Sequence, residues 1–271
     1  MFITRSITAV ILILIVLCGL YLASPFIYNA AVAMMLLAAA WEWAGLIKIH
    51  SIFGRLIYAF TALLFFLVLY LFQTFAIYYF IFTTLWWIWV MIAVLAYAGQ
   101  KQPWGFDSNI VKGISGIILL GGALLAFIVL RALPQGANWL LLGMVLVWLM
   151  DIGAYITGRL CGRHLLMPRV SPKKTWEGFA GGLLFVFIIG WIIAHTVLHL
   201  PLQHLLVTLK LFFITALFSV FGDLFESMMK RQANVKDSGN ILPGHGGILD
   251  RIDALIAGIV IYTVSILTFS L

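Results

Sequence analysis

Apolar residues fill nine stretches of this chain, 6–24, 26–47, 53–72, 75–98, 113–133, 138–158, 177–199, 205–229 and 248–270, and polar residues crowd into the gaps between them. As a helix rising about 1.5 Å per residue, each stretch is long enough to cross roughly 30 Å of hydrocarbon. Helices satisfy their own backbone hydrogen bonds, which lipid cannot do. The pattern therefore predicts an all-α fold, a polytopic transmembrane helical bundle of about nine helices. The first run follows Arg5 as a signal peptide would. It is long for that role and lacks a small-x-small cleavage site before Pro25, so it reads as a retained helix.

Composition narrows the class further. With 64% hydrophobic and 9% charged residues, the chain is outside the range of an ordinary soluble domain. A cytoplasmic N-terminus puts 14 of the 16 Lys and Arg residues on the cytoplasmic side, and only Arg131 and Lys210 dissent. The opposite loops, around Ser24, Gln73, Gln135 to Asn138 and Leu200 to Gln203, carry no Lys or Arg. The net charge of +7 is thus spread over membrane loops, which suits anionic headgroups and gives no sign of nucleic acid. Lys112 falls outside the densely charged segments and reads as a topological charge only. Cys18 and Cys161 form no C-x-x-C or Cys/His cluster, so neither a disulfide nor a zinc site is indicated. Gly178 and Gly182 make a small-x-x-x-small pair suited to close helix packing.

The charges divide the chain unequally. Residues 151–177 and 223–253 hold seven of the nine carboxylates and nine of the sixteen Lys and Arg residues. Residues 1–150 read as scaffold helices and 151–271 as the catalytic helices and loops of the same membrane domain. A charge near hydrocarbon costs roughly 2.5 to 3.5 kcal/mol at mid-helix, so such density points to a charged ligand. Asp151 precedes Arg159 by eight residues and Asp223 precedes Lys230 by seven. That depth is roughly 10 to 12 Å inside the cytoplasmic ends of their helices. With Asp250 opening the last helix, three acids can meet in one recessed pocket.

Spacing within the helices sharpens the picture. Asp223, Ser227 and Arg231 recur at i, i+4 and i+8, with Glu226 and Lys230 paired on the adjoining stripe. Asp250 and Asp253, at i and i+3, can share a face. Oxygen ligands of this kind suit Mg²⁺, which takes one or two carboxylates, waters and substrate phosphates. Between these helices, Pro243-Gly244-His245-Gly246-Gly247 is a turn whose backbone N–H groups can seat an anion. In the other basic loop, Ser171-Pro172 reads as a helix-breaking entry and Thr175 as the cap of the seventh helix, with Trp176 as an interfacial anchor. Lys173 or Lys174 then hangs over the site as a phosphate cation. No G-x-x-x-x-G-K precedes Thr175, so P-loop chemistry is not supported.

The run from Ser227 to Asp253 resembles the signature of phosphatidate cytidylyltransferases, the CDP-diacylglycerol synthases. The matching residues are Ser227, Lys230, Arg231, Lys236, Asp237, Gly239, Pro243, Gly244, His245, Gly246, Gly247, Asp250, Arg251 and Asp253. The resemblance extends to Gly222-Asp223, to 171–178, to 151–155 and to 39–43, and so covers nearly the whole chain. It implies a bacterial inner-membrane enzyme, multi-pass and homodimeric, with its active site facing the cytoplasm. The implied reaction is CTP plus phosphatidate giving CDP-diacylglycerol and pyrophosphate, dependent on Mg²⁺, with a second, monovalent cation left open. The implied metal ligands are Asp223, Asp250 and Asp253, and the implied catalytic set adds Lys174, Lys230, Arg231 and Lys236. Substrate binding is implied for Asp151, Ser171, Thr175, Ser227, Asp237, Gly244, His245, Gly246, Gly247 and Arg251. A transporter for an anionic solute is disfavoured because the two halves show no clear inverted repeat. A CDP-alcohol phosphotransferase is disfavoured because its D-G-x-x-A-R pattern is absent.

Overall fold

A computed structural model of the chain describes residues 2–242 and 246–269. Among them are nine long α-helices: α1 (Phe2–Tyr21), α2 (Pro25–Leu46), α3 (Ile52–Leu71), α4 (Ala76–Ala98), α5 (Asn109–Ala132), α6 (Gly136–Cys161), α7 (Trp176–Val197), α8 (Leu205–Ala233) and α9 (Leu249–Phe269). Their limits follow the nine apolar runs to within a few residues. Eight of them, α2 to α9, are long and apolar enough by composition to cross a membrane. The chain is a polytopic helical membrane protein.

Burial separates inner from outer helices. In α5 and α9, 78% and 72% of the apolar window is buried, against 17% in α3, so α5 and α9 form the centre. On α3, Phe53, Ile57, Phe60 and Leu64 face outward, as a lipid-facing surface requires. Glycine makes the inner face of α5 smooth: a Cβ on Gly116 would stand 2.6 Å from Trp43 Nε1. The polar tips of the surrounding aromatics then reach the α5 backbone. Trp43 Nε1 donates to Lys112 O at 3.0 Å, Tyr58 Oη to Gly113 O at 2.8 Å, and Tyr79 Oη to Ile118 O at 2.8 Å. Each of these three donors thus has an acceptor, at about 1 kcal/mol net per bond.

The Gly178 and Gly182 pair does pack closely, and its partner is α6. A Cβ on Gly182 would lie 2.7 Å from Met150 O, and one on Gly178 would lie 2.8 Å from Ala154 O. Close approach of α6 and α7 fixes Asp151 beside the start of α7. Between them the chain forms an antiparallel hairpin, β1 (Leu165–Met167) and β2 (Ser171–Thr175), pairing Leu165 with Thr175 and Met167 with Ser171. This corrects the expected helix-breaking entry: Pro172 lies inside a strand. A two-stranded ribbon is all edge, so a residue without an N–H costs little there.

Thr175 is the cap of α7, its Oγ1 accepting from Gly178 N at 3.1 Å. Glu177 ties the hairpin down, accepting from the backbone N–H groups of Arg163 and His164 at 3.1 and 3.2 Å. At its far end α8 stops at Asn234, whose φ of 58° is a conformation Asn tolerates. The α2–α3, α4–α5, α6–α7 and α8–α9 connections gather at one end of the bundle. Tyr21 Oη donates to Asn138 Oδ1 at 2.8 Å at the other.

Candidate active site

The acids and bases of the second half converge as two lysine–aspartate pairs on α8 and its neighbours. In the first, Lys174 Nζ, carried on β2, lies 2.6 Å from Asp223 Oδ2 on α8. Ser227, one turn further along α8, donates from Oγ to Asp223 Oδ1 at 3.3 Å. Both members of the pair are about a quarter exposed, at 26% and 27%. They line a cavity of about 330 Å³. Asp151, Ser171, Lys173 and Thr175 share its polar wall, and Met150, Leu166, Phe179 and Val220 form its apolar wall. Such a cavity suits a charged headgroup attached to hydrocarbon.

In the second pair, Lys230 Nζ donates to Asp250 Oδ1 at 2.8 Å and also meets the buried carboxylate of Glu226. Asp250 is held from the other side by backbone. Ser238 N donates to its Oδ2 at 3.0 Å and Gly247 N at 2.8 Å. Gly246 sits at φ 87°, a conformation that favours glycine, and a Cβ there would crowd Asp250 Oδ2 at 3.0 Å. Asp253, one turn along α9, accepts from Ala254 N at 2.8 Å and lies within electrostatic reach of Asp223, Asp151 and Lys230. It stands between the two pairs. The remaining expected residues are more peripheral. Arg231 Nε approaches Val170 O at 3.5 Å, Lys236 and Asp237 are exposed in the loop 234–242, and Arg251 is exposed on the first turn of α9. Gly244 and His245 lie outside the described residues.

The donor set is oxygen throughout. Among the described residues no three His, Cys, Asp or Glu side chains form a ready-made metal cage. Oxygen donors suit Mg²⁺ better than a soft transition metal, since Mg²⁺ uses few carboxylates and completes its shell with water and phosphate oxygens.

Comparison with known proteins bears on the chemistry. A family model described as the cytidylyltransferase family matches residues 3–269. This chain belongs to the cytidylyltransferase family. Among its relatives, the phosphatidate cytidylyltransferase of Pseudomonas aeruginosa is 36% identical over 258 residues, spanning 95% of this chain and 94% of that one. The Haemophilus influenzae phosphatidate cytidylyltransferase is 32% identical over 278 residues, spanning 94% and 95%. The Bacillus subtilis protein of the same name is 43% identical over 140 residues, about half of each chain.

Within this cytidylyltransferase, Glu42 is a functional neighbour that sequence reasoning left without a role. It is 2% exposed, on α2. Its carboxylate accepts from Ile248 N at 3.0 Å, Leu249 N at 2.8 Å and Ser238 Oγ at 3.3 Å. It therefore caps α9 and pins the loop that holds Asp250, using the attraction of a helix N-terminus for negative charge. The available signal was an acid inside the second apolar run, near its C-terminal end. Lys112 also departs from expectation: it lies in the first turn of α5, is 4% exposed, and faces a cavity of its own.

Proposed function

We propose that this protein transfers CMP from CTP to phosphatidate, giving CDP-diacylglycerol and pyrophosphate, with Mg²⁺. The observation that carries this reading is the Lys174–Asp223 pair, set in a half-polar, half-apolar cavity, in a chain aligned nearly end to end with phosphatidate cytidylyltransferases. A phosphate monoester has a second pKa near 6 and is largely a dianion at neutral pH. Its oxygen can attack the α-phosphorus of CTP without a side-chain nucleophile. The new bond is phosphatidate oxygen to α-phosphorus, the α–β bridging bond breaks, and pyrophosphate leaves with that electron pair. Catalysis is then alignment and charge neutralisation.

The two lysine–aspartate pairs suit that task. Each aspartate is paired with a lysine. Lys174 and Lys230 would bind phosphate oxygens, and Asp223 and Asp250, with Asp253 and Asp151 as further oxygen donors, would hold Mg²⁺. Bound Mg²⁺ would supply charge neutralisation on the phosphates. Lys173, Arg231 and Lys236 extend the basic surface, and Ser227, Thr175 and the glycine turn complete the cradle. The setting proposed is the bacterial inner membrane with this end of the bundle in the cytoplasm, supported by bacterial relatives and by the distribution of Lys and Arg. A homodimer belongs to the same reading and is checked by light scattering in detergent.

The test is substrate dependence. Purified protein in mixed micelles should move α-labelled phosphate from CTP into lipid when phosphatidate is present, and not when diacylglycerol replaces it. Transfer to neither lipid would reject the assignment.

A further inference from the structure

A basic cavity lies apart from the Asp223 site and shares no lining residue with it. It measures about 450 Å³ and is built from the α2–α3 and α4–α5 connections, the tip of the hairpin and the end of α8. Lys48, Lys101, Lys112 and Arg169 line it against one acid, Asp107. Two observations mark it as more than scattered positive charge. Lys112 is 4% exposed, yet among the described residues its ammonium meets only Asn109 Oδ1, at 3.5 Å, too long for a strong bond. Gln232, also in the wall, has a buried side-chain oxygen with no hydrogen-bond partner among the described residues, and its amide can present either end. A buried ammonium and an amide that can turn its NH₂ inward are groups that an anionic ligand satisfies. Arg169 is already oriented: it stacks over Tyr97, 4.4 Å from the ring centroid, and donates to Tyr97 O at 3.0 Å.

We propose that this cavity is a second anion site, for a phosphorylated ligand carrying two or more negative charges. The ligand is either a soluble diphosphate or a phosphorylated lipid headgroup, since four cations against one carboxylate match both. Arg169 sits in the turn of the hairpin whose second strand carries Lys174, so a ligand here bears on the position of that lysine. The proposal stands whether or not the protein catalyses cytidylyl transfer.

Binding of inorganic pyrophosphate to the full-length protein in detergent, without divalent metal, is the test. Measuring it in a Lys174→Gln background reduces the contribution of the Asp223 cavity, and the effect of the second substitution is read against that background. That protein should bind pyrophosphate, and adding Lys112→Gln or Arg169→Gln should weaken binding at least about tenfold, whereas Lys112→Arg should retain it. If Lys112→Gln fails to fold, Arg169→Gln decides. Repeating the titration in phosphatidylcholine nanodiscs with and without phosphatidate separates the sources. Weaker pyrophosphate binding with phosphatidate present assigns the cavity to a lipid headgroup, and unchanged binding assigns it to a soluble ligand. No pyrophosphate binding in the Lys174→Gln background, or undiminished binding after Arg169→Gln, would overturn the proposal.

Discussion

Lys174 on the hairpin and Asp223 on α8 are joined by a 2.6 Å ion pair at the mouth of a cavity that also exposes Asp151. The pair ties a surface ribbon to a helix of the core. Because it is partly solvated, its contribution to stability is small, and either partner can be exchanged at low cost. The Lys230–Asp250 pair differs: it is less exposed, and it is shared with Glu226 and two backbone N–H groups.

The two aspartates should therefore respond differently to the same substitution. Asp223→Asn and Asp250→Asn should both abolish turnover, since an amide keeps the shape but loses the charge. Asp250→Asn should also lose about 1 to 3 kcal/mol of stability, because its new NH₂ group faces donors. Thermal unfolding in detergent should show a lower Tm for Asp250→Asn and a nearly unchanged Tm for Asp223→Asn. Equal Tm values would mean that Asp250 does not hold the loop.

Glu42 makes a prediction about the scaffold half of the chain. Removing its carboxylate leaves three donors around the start of α9 unpaired, so Glu42→Ala should lower stability by about 1 to 3 kcal/mol. Turnover should fall with it, since the same loop positions Asp250. An unaltered Tm for purified Glu42→Ala would rule out the cap.

Orientation in the membrane is tested by labelling single cysteines. Cys18 and Cys161 are both exposed, so both are first replaced by Ser. In that background Ser51→Cys, Lys101→Cys and Val235→Cys should react from the cytoplasmic side, and Gln73→Cys from the other. Reactivity of any one from the opposite side would invert the assignment.

The helices were legible because each is a lipid-length apolar run ending in a polar gap, and nothing else in the chain competes with that signal. Thr175 was legible as a cap, and the Glu226–Lys230 pair followed from i, i+4 spacing. The hairpin was not legible. Its strands are only three and five residues long, too short to display alternation, and Pro172 argues locally against a strand. Which of Lys173 and Lys174 pairs with Asp223 needed the register of that hairpin, and it is Lys174. Glu42 and Lys112 were hidden for a different reason. The partners of Glu42 are 196 or more residues away, and the wall around Lys112 is drawn from three connections and the end of α8. No local pattern encodes either.

Cytidylyl transfer at the Lys174–Asp223 pair is measured most directly by following both ends of CTP in one assay, with Arg163→Gln as an exposed, positively charged control from the same connection. Wild-type protein with phosphatidate and Mg²⁺ should carry the α-phosphate label into lipid and release the γ-phosphate label as an equal amount of pyrophosphate. Lys174→Gln should lower kcat/KM at least about tenfold, or about 1.4 kcal/mol of transition-state stabilisation, while Arg163→Gln stays near wild type. Failure of the label to enter lipid, or equal losses in Lys174→Gln and Arg163→Gln, would contradict the account.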